Sequence, residues 1–134
     1  MDEERLCLKL EDCYMSAKLA EKDKGNLLDI HVERLSYLVL LAGNCSRGSE
    51  RLDAILSRIQ RESPTLAVPR FVMTPAELEG FIDDMGSDDA NDLVYSAYRK
   101  KVRTMSEWID QAKNAIARRT GFKFDPSVRV IRGQ

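Results

Sequence analysis

The chain has 134 residues, of which 43% are hydrophobic and 32% charged, and a formal net charge of −1, values typical of one globular domain. The longest apolar run, Tyr37–Ala42, is far shorter than the roughly 20 residues of a membrane-spanning helix, so we expect no membrane association. The start of the chain is acidic, whereas a secretory signal begins with basic residues. The three cysteines, Cys7, Cys13 and Cys45, do not have the spacing of a disulfide framework. These two observations predict a cytoplasmic protein with reduced thiols.

The first segment, about Glu3 to Lys22, has the spacing of an amphipathic helix. Apolar residues recur at alternating steps of four and three at Leu6, Leu10, Cys13, Ala17 and Ala20. Leu8, Met15 and Leu19 add a second, narrower apolar line. We therefore expect more than one side of this helix to be covered.

The second segment, Leu27 to Ala42, is the most apolar, and Gly43-Asn44 is predicted to end it. One helical line contains Leu28, Val32, Leu35, Val39 and Ala42, but other apolar residues fall outside it, and six consecutive ones cannot face one side of a helix. This pattern predicts a helix buried on nearly every side, either central in the fold or in a dimer interface. A buried strand is the alternative, but the leucine content and the length favour a helix.

The third helix is predicted to start at Ser46 or Ser49 and to end at Ser63, because Pro64 disfavours helix at the residue before it. Its apolar face comprises Leu52, Ile55, Leu56 and Ile59. Residues 64–73 are apolar but interrupted by prolines. They predict an extended connector that could form an edge strand.

Two further helices follow. Thr74-Pro75-Ala76-Glu77 has the pattern of a helix start and opens a short helix that ends at Gly86. Ser87 is predicted to cap the last helix, which would extend over residues 88–119 and stop at Gly121. Unbroken, it would be about 48 Å long, against a domain diameter of about 36 Å, so it should overhang, kink or be covered by a second protomer.

These elements predict an all-α fold, a compact bundle of four or five helices with an extended proline-containing connector and a short strand-like tail. Residues 1–121 would form the helical domain. Residues 122–134, in which Phe122, Phe124, Val128 and Val130 are spaced as in a strand, would form an extended C-terminal tail.

Catalytic and metal-site patterns are weak. His31 is the only histidine, and no serine lies in a nucleophile-elbow motif. Cys7, Cys13, His31 and Cys45 lack zinc-site spacing, and the acidic residues around Asp88 are explained by the dipole of a helix start more readily than by a divalent cation. We therefore predict a non-enzymatic protein with no metal and no cofactor. An enzyme with a carboxylate-based site would be favoured only if acids converged in a concave pocket.

Charge is segregated along the chain. Residues 1–94 hold 11 Lys and Arg against 19 Asp and Glu, a net charge of −8, whereas residues 95–134 hold 10 against 3, a net charge of +7. Segregated charge often marks a partner or self-pairing surface. Our candidate interaction residues are the basic side chains Arg99, Lys100, Arg103, Arg118, Arg119 and Lys123.

A solvated helix surface would explain this basic set without any function. Two functional interpretations remain. One is an acidic protein partner. The other is a nucleic acid held by the basic residues and by the aromatic residues between them, Tyr95, Tyr98, Trp108, Phe122 and Phe124. We favour a small helical adaptor or regulator acting through protein–protein interaction, and a homodimer is the first oligomeric form that we expect. The alternative is a nucleic-acid-binding regulator that uses the basic C-terminal helix and tail.

Overall fold

The computed structural model describes residues 3–23, 27–45, 49–63, 66, 70–100 and 105–121. Within them the chain forms six α-helices and no strand: α1 (Glu3–Asp23), α2 (Leu28–Asn44), α3 (Glu50–Glu62), α4 (Pro75–Asp83), α5 (Asp89–Arg99) and α6 (Met105–Thr120). The all-α prediction is confirmed, with more helices than the four or five expected. The predicted strand-like tail lies outside the described residues. None of the described helices is long and apolar enough to cross a bilayer.

Helix α2 is the centre of the fold, as its apolar pattern predicts. Every residue of the run Tyr37–Ala42 is at most 6% exposed. Helices α1, α5 and α6 pack against α2. The cover that this run requires therefore comes from the same chain, and no second protomer is needed to bury it.

Helix α3 confirms one of its two predicted starts. The Ser49 hydroxyl accepts a hydrogen bond from the Leu52 amide at 3.1 Å, which caps the helix and occupies one of its unpaired donors. The four predicted apolar residues, Leu52, Ile55, Leu56 and Ile59, are all buried.

The predicted last helix is present as two helices, α5 and α6, separated by residues outside the described part of the chain. The cap prediction at Ser87 is wrong: Asp88 caps α5, its carboxylate accepting from the Asn91 amide at 2.7 Å. A carboxylate in this position also interacts favourably with the positive end of the helix dipole. Gly121 ends α6 as predicted, with a φ of 76° that favours glycine.

The connector before α4 has no strand in its described residues. Thr74 caps α4 as predicted, accepting from the Glu77 amide at 3.2 Å. The amides of Val72 and Met73 each donate to Glu33 Oε2 at 2.6 Å. A buried side chain on α2 thus provides the hydrogen bonds that a neighbouring strand would have supplied.

Candidate protein-binding groove

A groove lies where α2, α5 and α6 meet. Its volume is about 500 Å³, and its lining residues come from all three helices: Leu40, Asn44, Leu93, Val94, Ala97, Gln111, Asn114, Ala117 and Arg118. We call it the α2–α5–α6 groove. Concave surfaces of this size accept side chains of a bound partner.

The floor of the groove is apolar. Leu40 and Val94 are buried, whereas Leu93 is 62% exposed, the highest value among the large hydrophobic residues described. A single exposed leucine is ordinary on a protein surface. Here it continues a concave apolar lining, which a partner could cover without rearranging the fold.

The described rim of the groove is polar and carries positive charge. Gln111, Asn114 and Arg118 lie at steps of three and four along α6, which places them on one face. Asn44 lies at the end of α2, where its side-chain amide donates to the Leu40 carbonyl at 2.8 Å. Among the residues that the structure describes, no Asp or Glu lines the groove. Electrostatics therefore favour an occupant with negative charge near Arg118.

Close contact between α2 and α6 fixes the base of the groove. A Cβ added at Gly43 would lie 2.3 Å from the Ala115 Cβ and 2.7 Å from its Cα. Any larger residue at position 43 would push the two helices apart. Gly43 was interpreted only as a helix stop in the sequence, so its packing role was missed.

The predicted basic residues do not form one surface. Arg118 lies on the rim of the α2–α5–α6 groove. Arg99 is also exposed, but it lies on another side of α5, with its guanidinium 6.0 Å from the Tyr95 ring centre. Lys100, the residue after α5, is exposed. Arg103 and Lys123 lie outside the described residues.

Arg119 lies inside the bundle, and its side chain is only 1% exposed. Its Nε donates to Asp53 Oδ1 at 2.8 Å, its Nη1 donates to the Cys45 carbonyl at 3.2 Å, and its Nη2 lies 3.7 Å from Glu3 Oε1. It therefore joins α6 to α1 and α3. The sequence contained a signal for this position: Arg119 continues the core line of Ile109, Ala112 and Ile116, whereas Arg118 does not.

Glu33 was missed by the sequence reasoning. It lies on the central helix and is 1% exposed. One carboxylate oxygen accepts from the Val72 and Met73 amides, and the other accepts from the Tyr98 hydroxyl. Both oxygens therefore accept hydrogen bonds, and Glu33 holds α2, α5 and the connector together.

Aromatic rings surround the Glu33 carboxylate and its partners. Tyr98 packs edge-on against Trp108, with ring centres 4.8 Å apart, and against Tyr37 at 5.4 Å. The Tyr37 hydroxyl donates to Asn91 Oδ1 at 2.6 Å. Burial raises the pKa of both tyrosine hydroxyls, and for Tyr98 the hydrogen bond to Glu33 raises the pKa further. Tyr98 and Trp108 are therefore core residues and do not face solvent.

The three thiols lie in environments that keep them protonated. Burial raises the pKa of Cys7, of Cys45 and most clearly of Cys13, to about 11. The pKa of His31 is lowered by burial and by the nearby Arg34 charge. Reactive cysteines require the opposite shift, because the thiolate is the nucleophile. Within the described residues no group of three His, Cys, Asp or Glu side chains could hold a metal ion.

The chain matches no family model. No curated protein and no solved structure matches it either. Support for a function therefore comes from the surfaces themselves.

A second concavity, of about 420 Å³, lies on another side of α5. Glu79, Asp83 and Asp92 line it together with Tyr95 and Arg99. All three acids are exposed, and Glu79 accepts a hydrogen bond from the Tyr95 hydroxyl at 3.0 Å. The lining residues that the structure describes include no His or Cys that could act with these acids as a base or a nucleophile. Acids therefore do meet in one concave pocket, which is the arrangement that the carboxylate-based alternative requires, and all three are exposed to water.

Proposed function

We propose that the protein is a non-enzymatic helical adaptor or regulator that binds another protein in the α2–α5–α6 groove. The observation that carries this proposal is the exposed Leu93 in the apolar lining of a groove whose described rim residues include Arg118 and no acid. Fixed apolar floors with polar rims are typical of sites that bind an amphipathic helix.

The occupant is an amphipathic helix with acidic residues beside its apolar face. Its apolar residues, spaced at three and four, would cover Leu93, Val94 and Ala97. Its carboxylates would meet Arg118, and the side-chain amides of Gln111 and Asn114 would pair with its polar groups at the edge. A basic helix would place like charges at Arg118.

A library of amphipathic helical peptides displayed on phage, with acidic and basic polar faces equally represented, tests this proposal. We expect enrichment of acidic peptides with apolar residues at helical spacing. Binding of a selected peptide should weaken at least tenfold in Leu93→Glu and in Arg118→Glu. Leu19→Glu is the matched control, because Leu19 is 58% exposed on α1 and does not line the groove.

Two results would refute the groove as the binding site. One is enrichment of basic peptides or of none. The other is a loss of binding in Leu19→Glu that equals the loss in Leu93→Glu, since this would show a nonspecific effect of a new surface charge.

The nucleic-acid alternative has less support. The exposed residues Arg99, Lys100 and Arg118 remain available to phosphates, but Trp108 and Tyr98 are buried in the core, so neither can stack on bases. Titration with single- and double-stranded DNA and RNA at 50 and 200 mM salt separates the two functions. Binding that falls steeply with salt and is lost in Arg118→Glu would favour the nucleic-acid function.

A further inference from the structure

Helix α4 is the least firmly packed of the six described helices. The closely packed helix pairs of the described chain involve α1, α2, α3, α5 and α6, and α4 belongs to none of these pairs. Of the nine residues of α4, only Leu78 is buried. A short helix is marginal without tertiary packing, because few hydrogen bonds must offset the lost conformational freedom. We therefore expect α4 to be the least stable helix in this part of the chain.

Two concavities lie on opposite faces of α4. One, of about 420 Å³, is lined by Glu79 and Asp83 of this helix, and the other, of about 400 Å³, is lined by Glu77 and Phe81. These two pairs lie on opposite sides, because each residue advances an α-helix by about 100°. Leu78 lies between them on the side that faces the core. Helix α4 therefore contacts the core along a narrow line.

Phe81 joins α4 to α1 and α2. Its ring packs edge-on against the ring of Tyr37, with centres 6.1 Å apart. The Arg34 guanidinium carbon lies 5.6 Å from the centre of the Phe81 ring, and the Lys9 Nζ lies 5.8 Å from it. Phe81 is only partly buried, so its contacts hold α4 less tightly than a core side chain would.

The polar side-chain contacts of α4 are exposed. Asp84, directly after the helix, accepts from Lys9 Nζ at 3.2 Å, and the Asp84 side chain is 66% exposed. Glu79 accepts from the Tyr95 hydroxyl at 3.0 Å and is exposed as well. Water readily replaces partners of this kind, so these contacts add little to the stability of α4.

Gly80 lowers the stability of α4 further. It lies inside the helix and is exposed, and a Cβ added there would meet nothing within 4 Å. Glycine in a helix interior is less favourable than alanine, because the unfolded chain has more conformational freedom to lose. Neither packing nor a positive φ requires glycine at this position. The sequence thus has a weak helix where a stronger one would fit.

The chain is held firmly on both sides of α4. Met73, before the helix, is 8% exposed, and its amide donates to Glu33 Oε2 at 2.6 Å. Met85, after the helix, is 2% exposed, and the Asn91 side-chain amide donates to the Gly86 carbonyl at 2.7 Å. The segment between these two methionines has fixed ends and a weakly held middle, which favours its unfolding separately from the rest of the protein.

We propose that residues 74–84 form a lid that opens by local unfolding of α4 while the other described helices stay folded. We call this segment the α4 lid. When closed, it covers the Tyr37 ring through Phe81 and, through Leu78, a cavity of about 30 Å³ beside Glu33. The α4 lid thus controls the access of solvent to a buried tyrosine and to a buried carboxylate.

Native-state hydrogen exchange followed by NMR tests the proposal. After correction for intrinsic rates, the α4 amides that donate within the helix, from Leu78 onward, should exchange on the order of a hundredfold faster than the α2 amides of Val39 to Leu41. They should share one opening equilibrium, because the α4 lid opens as a unit. Gly80→Ala should slow their exchange about fivefold, since alanine fits there without a clash.

Gly43→Ala separates lid opening from global unfolding. Position 43 lies at the contact of α2 and α6, away from the α4 lid, and the added methyl group should weaken the whole fold. Exchange of the α2 amides should accelerate about fivefold or more, whereas exchange of the α4 amides should stay unchanged. Ile55→Val, on the buried face of α3, makes the same comparison if Gly43→Ala does not fold.

Three results would overturn the proposal. Equal acceleration of the α4 and α2 amides in Gly43→Ala would show that α4 opens only with the whole fold. A different opening equilibrium for each α4 amide would show fraying of single residues in place of a lid. Unchanged α4 exchange in Gly80→Ala would show that helix stability does not govern the opening. The described lining of the α2–α5–α6 groove comes from other helices, so these results do not depend on peptide binding there.

Discussion

Replacement of Glu33 by glutamine isolates the energetic role of the buried carboxylate. The substitution keeps the size and shape of the side chain but removes the charge from a group that accepts three hydrogen bonds, from the Val72 and Met73 amides and the Tyr98 hydroxyl. Hydrogen bonds to a charged group contribute about 1.5–3 kcal/mol each, and neutral ones about 1 kcal/mol. The glutamine can still accept some of these bonds, so we expect a loss of about 2–4 kcal/mol of unfolding free energy.

The exposed pair of Glu79 and Tyr95 provides a matched control. It joins the same two kinds of side chain at 3.0 Å, but in contact with water. Because water replaces the lost bond there, Glu79→Gln should cost less than about 0.5 kcal/mol. The difference between the two substitutions measures what burial adds to an otherwise similar interaction.

Urea denaturation followed by far-UV circular dichroism is the assay. With an m-value of about 2 kcal/mol/M, a loss of 2–4 kcal/mol lowers the midpoint by about 1–2 M, while m itself should stay constant. Equal midpoints for Glu33→Gln and Glu79→Gln would refute the conclusion that the buried Glu33 hydrogen bonds stabilise the fold. A changed m-value in Glu33→Gln would instead show that the connector is already detached in the folded state of the variant.

Three further predictions concern packing, an internal ion pair and a thiol. Gly43→Ala should destabilise the fold by about 1–2 kcal/mol in urea, and Ala115→Gly in the same chain should recover part of that loss in a double-mutant cycle. Arg119→Ala should cost about 2–3 kcal/mol because it leaves Asp53 partly buried and unpaired, whereas Arg118→Ala should cost under about 0.5 kcal/mol in the same assay. Burial raises the pKa of Cys13 to about 11, so the folded state retains a proton that the unfolded chain loses near pH 9. The free energy of unfolding should therefore fall by up to about 3 kcal/mol as the pH rises from 9 to 11. Cys13→Ala should lack this loss.

The central position of α2 could be predicted because burial leaves a strong trace in sequence. A six-residue apolar run cannot be covered from one side, and Tyr37–Ala42 is buried throughout. The spacing of apolar residues predicts that such a surface is covered, but it does not identify the segment that covers it. The same reasoning therefore allowed a second chain to cover α2, whereas α1, α5 and α6 of the same chain cover it. It also predicted that Leu8 and Leu19 are covered, whereas both are exposed.

The role of Glu33 could not be predicted from local pattern. Its partners lie 39, 40 and 65 residues away in the sequence, and only the folded chain brings them together. One clue was present, since an acid in a helix that is apolar nearly all round has no exposed side to occupy. It indicates a buried carboxylate that needs partners, but it does not identify them.

The groove shows the same limit. Arg118 was selected from its charge, and the structure places it on the rim of a concave surface, but Leu93 and Asn114 were not selected at all. Each of these residues is ordinary by itself. Only the packing of α5 and α6 against α2 places them on one surface, and that packing depends on the Gly43 contact, which the sequence showed only as a helix end.

Segregated charge along the chain has an intramolecular use as well as the intermolecular one proposed for it. Arg119, from the basic C-terminal portion, contacts Asp53 and Glu3 from the acidic portion, and this joins the end of α6 to α3 and to the start of α1. These acidic and basic side chains therefore pair within one chain and do not orient a partner. High salt should screen the Arg119 contacts much less than it screens exposed ion pairs, because the guanidinium is buried.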